Sequence, residues 1–202
     1  MSGLPILLEA SALRVLVVGG GAVATRKTIA FCEAGAQVRV IAPIIADEIR
    51  TLEPAGRVSL VERAYRSDDI GDAQLVIAAT DDRSVNAQVA SDARAANRLV
   101  NVTDLPSEGS FATMATHRSG ALVIGVTAGG VPGAAARIRD VIAERFDSRY
   151  ARALADLAAV RRALIDRGDG LAWRALASEV LDARFCESVE RASLAERVAT
   201  WR

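Results

Sequence analysis

The sequence predicts an α/β protein, in which a Rossmann-type, doubly wound parallel sheet is followed by a small hairpin region and a helical C-terminal domain. Three observations predict this fold. Short apolar runs, typical of strands buried on both faces of a parallel sheet, alternate with helical patterns over the first hundred residues. A glycine cluster at 19–21 separates the first run from the first helix. After Pro106 the alternation stops, and from Gly133 onward the pattern is helical throughout.

The first domain, residues 1–109, is predicted to alternate between strands and helices. Gly35 ends the first helix, because glycine commonly follows the last helical turn, and polar residues open the second helix. The predicted strands are 14–18, 38–41, 58–61, 75–79 and 99–102, and the predicted helices are 24–34 and 83–96.

A hairpin is predicted where this alternation stops. Residues 110–116 and 121–127 look extended, and residues 117–120 form the turn between them. The helix 134–145 follows, and we group 110–146 as one hairpin and helix region. Residues 147–202 are predicted to be a helical C-terminal domain, with a helix at 150–166, a glycine break at 168–170 and two further helices to Arg202.

The charge and hydropathy of the chain disfavour several classes of partner. Among 202 residues, 25 basic side chains balance 25 acidic ones, so no global field attracts nucleic acid or an anionic membrane. No apolar run approaches the roughly 18 residues of a membrane span, and the N-terminus lacks the pattern of a signal peptide. We therefore expect a cytoplasmic protein with neither nucleic acid nor a membrane as partner.

Cysteine and histidine are too sparse to indicate a metal site. Cys32 and Cys186 lie far apart, with no metal-ligand spacing around either, and we expect both to be buried free thiols. His117 is the single histidine, and its place in the predicted turn indicates a surface residue. No metal-binding residue is predicted.

The turn after the first predicted strand has the pattern Gly-x-Gly-x-x-Ala. Between a strand and a helix, this pattern brings backbone N–H groups at the helix N-terminus to the pyrophosphate of a dinucleotide. Gly19 allows the tight turn, Gly21 lets the phosphates approach the backbone, and Ala24 lets the helix and strand pack closely. The alternative is a glycine-rich turn that only connects the two elements. The predicted cofactor contacts here are Gly19, Gly20, Gly21, Ala22, Val23 and Ala24.

The second predicted strand lacks the acidic residue that normally binds the ribose 2′-hydroxyl of NAD. It ends instead in Ala42, Pro43 and Ile44, where we expect backbone groups to take the place of the carboxylate. Arg39 and Arg50 are the candidates for accepting the 2′-phosphate of NADP, so the residues alone leave NAD and NADP as alternatives.

The fourth predicted strand ends at the edge where ligands of open α/β sheets bind. Thr80 and Asp81 follow this strand and are predicted cofactor contacts. The alternative for Asp81 and Asp82 is capping of the helix that begins near Arg83, and for Asp82 we favour capping.

Several short motifs over about residues 4–140 occur together in one known family. The glycine turn continues into Thr25, Arg26 and Lys27, and residues 101–104 read Asn-Val-Thr-Asp. The other motifs are Leu-Pro-Ile at 4–6, residues 78–82 with Val85 and Asn86, Ser110 with Phe111, and Gly129 and Gly130 before a helix with Ala136 and Arg137. In these motifs the chain resembles the precorrin-2 dehydrogenases, which include the N-terminal module of siroheme synthase.

The resemblance implies NAD-dependent oxidation of precorrin-2 to sirohydrochlorin, a step toward siroheme or cobalamin. Some members also insert ferrous iron, so ferrous or cobalt ion is an implied further substrate. The family's members are homodimers, in which the hairpin region contributes to the subunit interface and the active site lies between domains. The family's key aspartate falls on Asp104, and its cofactor contacts fall around Ala22, Val23, Pro43 and Ile44.

Asp104 ends the fifth predicted strand, at the same edge of the sheet as the glycine turn. Its carboxylate is suited to accept the proton that accompanies hydride removal, or to carry protons or guide the metal during metal insertion. The alternative is a turn-forming aspartate before Leu105 and Pro106. Because the implied substrate carries many carboxylates, Arg118, Arg137 and Arg139 are predicted to bind it.

The sequence departs from the family pattern before the helix at 134–145. Ala128 and Pro132 stand where the family has hydroxyl residues, and Met114 replaces a proline that the family often places there. These departures bear on substrate handling, and on chelation above all. The rival hypotheses are a nucleotide-sensing regulatory domain, which Ala42 in place of an acid disfavours, and a member that binds tetrapyrrole or metal without catalysis.

Overall fold

A computed structural model describes residues 3–53 and 56–199 of the chain. It divides into two compact units, Met1–Thr113 and Met114–Arg202. The sequence places the boundary of its first domain at residue 109, four residues earlier, and the further division of the second part at residue 146 stays a prediction.

The first unit is built on a five-stranded sheet, and all its pairs of neighbouring strands are parallel. The order of the strands is β3-β2-β1-β4-β5. The chain adds β2 and β3 on one side of β1, and then crosses back and adds β4 and β5 on the other side. This topology puts a switch point between β1 and β4. The strands are β1 (Arg14–Val18), β2 (Gln37–Ile41), β3 (Val58–Val61), β4 (Leu75–Ala78) and β5 (Leu99–Val102).

The apolar runs form central strands because both faces of the sheet are covered. Val15 and Val17 pack on one face against α1 (Ala22–Glu33), and Leu16 and Val18 pack on the other against α3 (Arg83–Ala95). Complete burial of such a side chain contributes roughly 1.5–3 kcal/mol to folding. The predicted doubly wound fold is confirmed.

The helix ends of this unit follow local signals. Gly35 adopts φ +96° just after α1, as expected of a residue that ends a helix. The Asp82 carboxylate accepts hydrogen bonds from the N–H groups of Ser84 and Val85, which confirms that Asp82 caps α3. The sequence did not predict α2 (Asp47–Arg50), because four residues are too few to show helical periodicity.

The second unit begins with an antiparallel hairpin of β6 (Ala115–Ser119) and β7 (Leu122–Val126). The predicted turn at 117–120 is wrong, since Ser119 pairs with Leu122 and the loop is only Gly120 and Ala121. Gly120 has φ +59°, and glycine at the first position of a two-residue loop matches the right-handed twist of the strands.

The rest of the second unit is helical, as predicted. Leu157, Val160 and Leu176 belong to its apolar core. The sequence predicts two helices after the glycine break, whereas residues 170–199 form three, because the chain turns at Ala192, a residue with φ +58° that is not a glycine. The helices are α4 (Pro132–Arg145), α5 (Ser148–Asp166), α6 (Gly170–Val180), α7 (Phe185–Glu190) and α8 (Leu194–Ala199).

Two other expectations are tested by the described residues. Cys32 and Cys186 are free thiols as predicted, but both are half-buried where full burial was expected. Between residues 3 and 199, leaving aside 54 and 55, no helix is both long enough and apolar enough to span a membrane.

Candidate functional site

The predicted site residues of the first unit lie at one edge of the sheet. Because all five strands are parallel, the loops that follow β2, β1, β4 and β5 emerge side by side at their carboxyl ends. Neighbouring strands are about 4.8 Å apart, so the ends of β1 and β5 are separated by about 10 Å. Gly19, Thr80 and Asp104 each fall within two residues of the end of a strand at this edge.

Gly19 and Gly20 are held so tightly that no side chain fits at either position. A Cβ atom on Gly19 would lie 2.2 Å from the carbonyl oxygen of Ala79, and one on Gly20 would lie 2.0 Å from that of Ile44. Gly19 also has φ +129°, and its N–H donates to the carbonyl of Ile41 over 2.9 Å. The turn is therefore seated between the loops that follow β2 and β4.

Gly21 differs, because a Cβ atom there would meet no atom within 4 Å. Gly21 is the N-cap of α1, and within residues 3–53 and 56–199 no side chain caps this helix end. The Thr25 N–H donates to the Gly21 carbonyl over 2.9 Å, so the N–H groups of residues 22–24 precede the first bond of the helix. Open space before uncapped N–H groups at the positive end of a helix fits a pyrophosphate.

The loop after β2 offers apolar surface and backbone in place of a carboxylate. Ala42 is buried, whereas the side chain of Ile44 is 83% exposed beside the glycine turn. An exposed isoleucine at this position fits the flat face of a nucleotide base. Pro43 lies between them.

The two arginines considered for a 2′-phosphate both have partners within the first unit. Arg39 donates to the carbonyl of Asp69, and its side chain lines a cavity of about 220 Å³ with Arg14 and Asp72 at the opposite, amino edge of the sheet. Arg50 forms two hydrogen bonds with Glu62, at 2.7 and 2.8 Å. Glu62 follows β3 directly, and β3 is the neighbour of β2 in the sheet.

The loop after β4 is fixed by Asn86, a fully buried side chain on α3 whose role the sequence did not reveal. The Asn86 side-chain oxygen accepts from the Thr80 N–H at 3.1 Å and from its hydroxyl at 2.8 Å. The Asn86 amide donates to the Thr80 carbonyl over 2.9 Å. These three bonds hold Thr80 rigidly, and they leave Asp81 exposed at the sheet edge. Asn86 belongs to one of the family motifs, and its place in the first turn of α3 lets it reach Thr80.

Asp104 lies in the loop after β5, with its side chain 34% exposed. Its Oδ2 atom is 3.7 Å from Nη1 of Arg83, and Nη2 of the same guanidinium pairs with Glu108. The hydrogen bond to Glu108, and then the charges of Glu108 and Asp104, raise the pKa of Arg83. Asp104 is thus oriented by a permanent cation while it keeps access to solvent.

Lys27 attaches the end of the first unit to α1. Its Nζ atom donates to the hydroxyl of Thr113, and burial followed by the charge of Arg26 lowers its pKa. Two residues before Thr113, the carbonyl of Phe111 accepts a hydrogen bond of 3.0 Å from the side-chain amide of Asn101. These contacts dock residues 111–113 on the face of the sheet that α1 covers.

The second unit carries the three arginines predicted to bind substrate. Arg118 lies on β6, which corrects its predicted place in a turn, and Arg137 and Arg139 lie on α4. Arg139 pairs with Asp140, whereas Arg118 and Arg137 have no ion pair with any residue in the described ranges. His117 is not a surface turn residue: it is half-buried on β6, with Nε2 2.6 Å from the carbonyl oxygen of Phe146.

The substituted loop before α4 keeps a defined structure without the hydroxyl residues. Gly129 and Gly130 have φ values of +54° and +88°, and the Val131 N–H donates to the carbonyl of Ala128 over 2.9 Å. Pro132 opens α4, where the missing N–H and fixed φ of proline suit the first turn. The helix α4 thus begins at a proline, without a side-chain cap at Val131.

Comparison with known proteins gives consistent matches. Residues 6–115 match a family model described as putative NAD(P)-binding, which covers more than half of the chain. The siroheme synthase of Pseudomonas fluorescens strain SBW25 is 42% identical over 166 residues, which are 82% of this chain and 36% of that protein. The siroheme synthase of Saccharophagus degradans is 34% identical over 203 residues, 98% of this chain and 42% of that protein.

The chain thus spans about two fifths of the length of the curated relatives that it matches. A solved structure described as SirC, precorrin-2 dehydrogenase, has a TM-score of 0.80 and 26% sequence identity. The match covers 98% of each of the two chains, including both units of the present structure.

Proposed function

This chain belongs to the NAD(P)-binding family of the siroheme synthases and of SirC, precorrin-2 dehydrogenase, and we propose from that premise that it oxidises precorrin-2 to sirohydrochlorin with NAD as the acceptor. The observation that carries the proposal is the position of Asp104. A solvent-accessible carboxylate, held by Arg83, shares one sheet edge with an open glycine turn. Hydride transfer to NAD needs a site for the dinucleotide and a group that takes up the proton, and this edge offers a candidate for each.

The residues that would hold the cofactor line the sheet edge. The N–H groups that follow Gly21 suit the pyrophosphate, and the exposed Ile44 with Pro43 suits the adenosine half, since the ribose is normally bound at the end of β2. Thr80 and Asp81, after β4, lie on the other side of the glycine turn and suit the nicotinamide half. When bound, the nicotinamide ring supplies the site that accepts a hydride.

Asp104 is proposed as the group that accepts the proton. Oxidation of a carbon–carbon or carbon–nitrogen single bond to a double bond removes one hydride and one proton, and the proton needs a base. The Arg83 guanidinium lies 3.7 Å from Oδ2 of Asp104, and the exposure of Asp104 lets the proton pass on to water. Its alternative role as a turn-forming residue does not require this exposure.

The substrate's carboxylates are proposed to bind arginines of the second unit. Arg118 and Arg137 are exposed, and α4 packs directly on the hairpin that carries Arg118. Arg139, paired with Asp140, is a weaker candidate because part of its charge is already neutralised. Guanidinium groups bind carboxylates in bidentate geometry, which suits a polycarboxylated tetrapyrrole. The implied homodimer, chelation of ferrous or cobalt ion and cytoplasmic location stay predictions.

The experiment that tests the proposal follows both products. The protein is incubated with precorrin-2 and NAD under anaerobic conditions, and sirohydrochlorin absorption and NADH fluorescence are recorded together. We expect equal amounts of the two products and no product without NAD. Binding of NADH without turnover of precorrin-2 would contradict the enzyme and favour a nucleotide sensor or a non-catalytic tetrapyrrole binder.

A further inference from the structure

Glu62 and Arg50 form an ion pair at the edge of the sheet where the sequence lacks the usual acid. We propose that this pair sets a preference for NAD over NADP, because Glu62 supplies the missing carboxylate and keeps Arg50 from binding a 2′-phosphate. The inference rests on the proposed binding of a dinucleotide at the glycine turn. It assigns the choice of cofactor to two residues that no sequence motif marks.

The strand order brings Glu62 next to the end of β2. Ile41 and Val61 are partners in the parallel pairing of β2 with β3, and the Ala42 N–H donates to the carbonyl of Val61 over 3.3 Å. Glu62 is therefore the neighbour of Ala42 on the next strand, about 4.8 Å away across the sheet. In this fold the 2′-oxygen of the adenosine ribose is read at the end of β2.

The Arg50 guanidinium and the Glu62 carboxylate form a bidentate pair. Nη1 of Arg50 lies 2.7 Å from Oε1 of Glu62, and Nη2 lies 2.8 Å from Oε2. Nε of Arg50 is 3.9 Å from Asp47, so a second acid also faces the guanidinium. The hydrogen bonds from Arg50, and then its charge, lower the pKa of Glu62.

The arrangement treats the two cofactors differently. Each Glu62 oxygen accepts one hydrogen bond from Arg50 and keeps a lone pair, which suits the 2′-hydroxyl of NAD as a donor. A 2′-phosphate carries only acceptors and negative charge, so it is repelled by Glu62, and Glu62 also offsets the positive charge by which Arg50 would attract it. Removing the charge of Glu62 while keeping Arg50 therefore weakens the preference for NAD.

The test measures binding of NADH and NADPH by nicotinamide fluorescence, so it needs no substrate. Glu62→Gln removes the charge with little change of shape. We expect the ratio of the NADPH and NADH dissociation constants to fall about fivefold, the upper end for an exposed ion pair. Glu62→Gln combined with Arg50→Gln is expected to lose this gain, because the gain requires the released guanidinium. Glu48 is an exposed acid on α2, the helix that carries Arg50. Glu48→Gln controls for the change in net charge and is expected to leave the ratio of the two dissociation constants unchanged.

Three outcomes overturn the inference, and they are distinguishable. If Glu62→Gln binds NADH and NADPH in the same ratio as the parent protein, the pair does not select the cofactor, although dinucleotide binding stands. If Glu48→Gln shifts the ratio of the dissociation constants as much as Glu62→Gln does, the shift is caused by net charge and not by the Glu62–Arg50 pair. If the parent protein binds neither NADH nor NADPH, the proposed cofactor site fails and the inference fails with it.

Discussion

The Nη1 atom of Arg83 lies 3.7 Å from Oδ2 of Asp104, while Nη2 of the same guanidinium pairs with Glu108. Arg83 is the first residue of α3, directly after the loop that follows β4, and Asp104 belongs to the loop that follows β5. One side chain therefore links two neighbouring loops of the candidate site. Glu108 also pairs with Arg83, so two acidic residues that follow β5 contact the same guanidinium.

Arg83 is accordingly predicted to act as a positioning residue for Asp104. Arg83→Gln should lower kcat for precorrin-2 oxidation about tenfold, equal to about 1.4 kcal/mol, without changing the dissociation constant of NADH. Arg83→Lys should recover part of the loss, because it restores the charge but not the two-pronged contact. Steady-state kinetics and NADH titration check both effects.

The matched control is Arg14→Gln, which removes an arginine paired with Asp72 over 2.8 Å at the opposite edge of the sheet. It should leave kcat unchanged. Equal losses in the Arg83 and Arg14 variants would mean that the ion pairs serve folding alone. An unchanged kcat in Arg83→Gln would show that Asp104 does not depend on Arg83.

The open space at Gly21 predicts a variant that folds but binds poorly. Gly21→Ala places a methyl group where no atom lies within 4 Å, so stability should change by no more than about 1 kcal/mol, the cost of alanine at an N-cap. NADH affinity should fall at least about tenfold, because the methyl group occupies the approach to the pyrophosphate. Urea unfolding and fluorescence titration separate the two effects.

Alanine variants of two other glycines serve as controls for Gly21→Ala. Gly133→Ala also enters open space, in the first turn of α4, and should leave NADH binding unchanged. Gly19→Ala should destabilise the protein by about 3 kcal/mol, through its positive φ and the clash with Ala79. Normal NADH affinity in Gly21→Ala would place the dinucleotide elsewhere.

Asp69 gives the first unit a predictable dependence on acid. Its buried carboxylate accepts two hydrogen bonds from Arg63, at 2.6 and 2.8 Å, and one from the Arg66 N–H at 2.8 Å. The bonds from Arg63 are the main reason that the pKa of Asp69 is lowered. Since the pKa is lower in the folded protein, the stabilisation is present above the unfolded value of about 3.9 and is lost as the pH falls through the folded value.

Asp69→Asn should therefore lower the free energy of unfolding at neutral pH by about 1–3 kcal/mol. The difference from the parent protein should shrink as the pH falls below about 4, because the parent then loses the same charge. Urea unfolding at a series of pH values measures it. Asp68→Asn, the exposed neighbour, should have an effect within about 0.5 kcal/mol, and a difference for Asp69→Asn that grows in acid would refute the account.

The strands of the first unit could be predicted because they are buried on both faces. Val15 to Val18 and Leu75 to Ala78 contain only apolar residues, and such runs leave few structures other than a central parallel strand. The glycine turn could also be predicted, because its glycines directly follow one of these apolar runs. The hairpin turn was not, because a loop of two residues depends on the φ of Gly120, and the sequence 117–120 also suits a longer turn.

The partners within the site could not be predicted from sequence spacing. Asn86 and Thr80 are six residues apart, but their three hydrogen bonds require α3 to fold back over the end of β4. Glu62 becomes the neighbour of Ala42 only through the order of strands in the sheet. Strand order is a tertiary property, so the substitute for the missing acid becomes visible only in the fold.

The most direct test of the proposed mechanism is the behaviour of Asp104→Asn, which keeps the shape of the side chain and removes the base. Turnover of precorrin-2 and the dissociation constant of NADH are measured on the same preparation, with Asp72→Asn at the opposite edge as control. The account predicts that Asp104→Asn loses at least about 100-fold in kcat, as expected for loss of a general base, with NADH affinity unchanged. A kcat within a few-fold of the parent protein would contradict the role of Asp104.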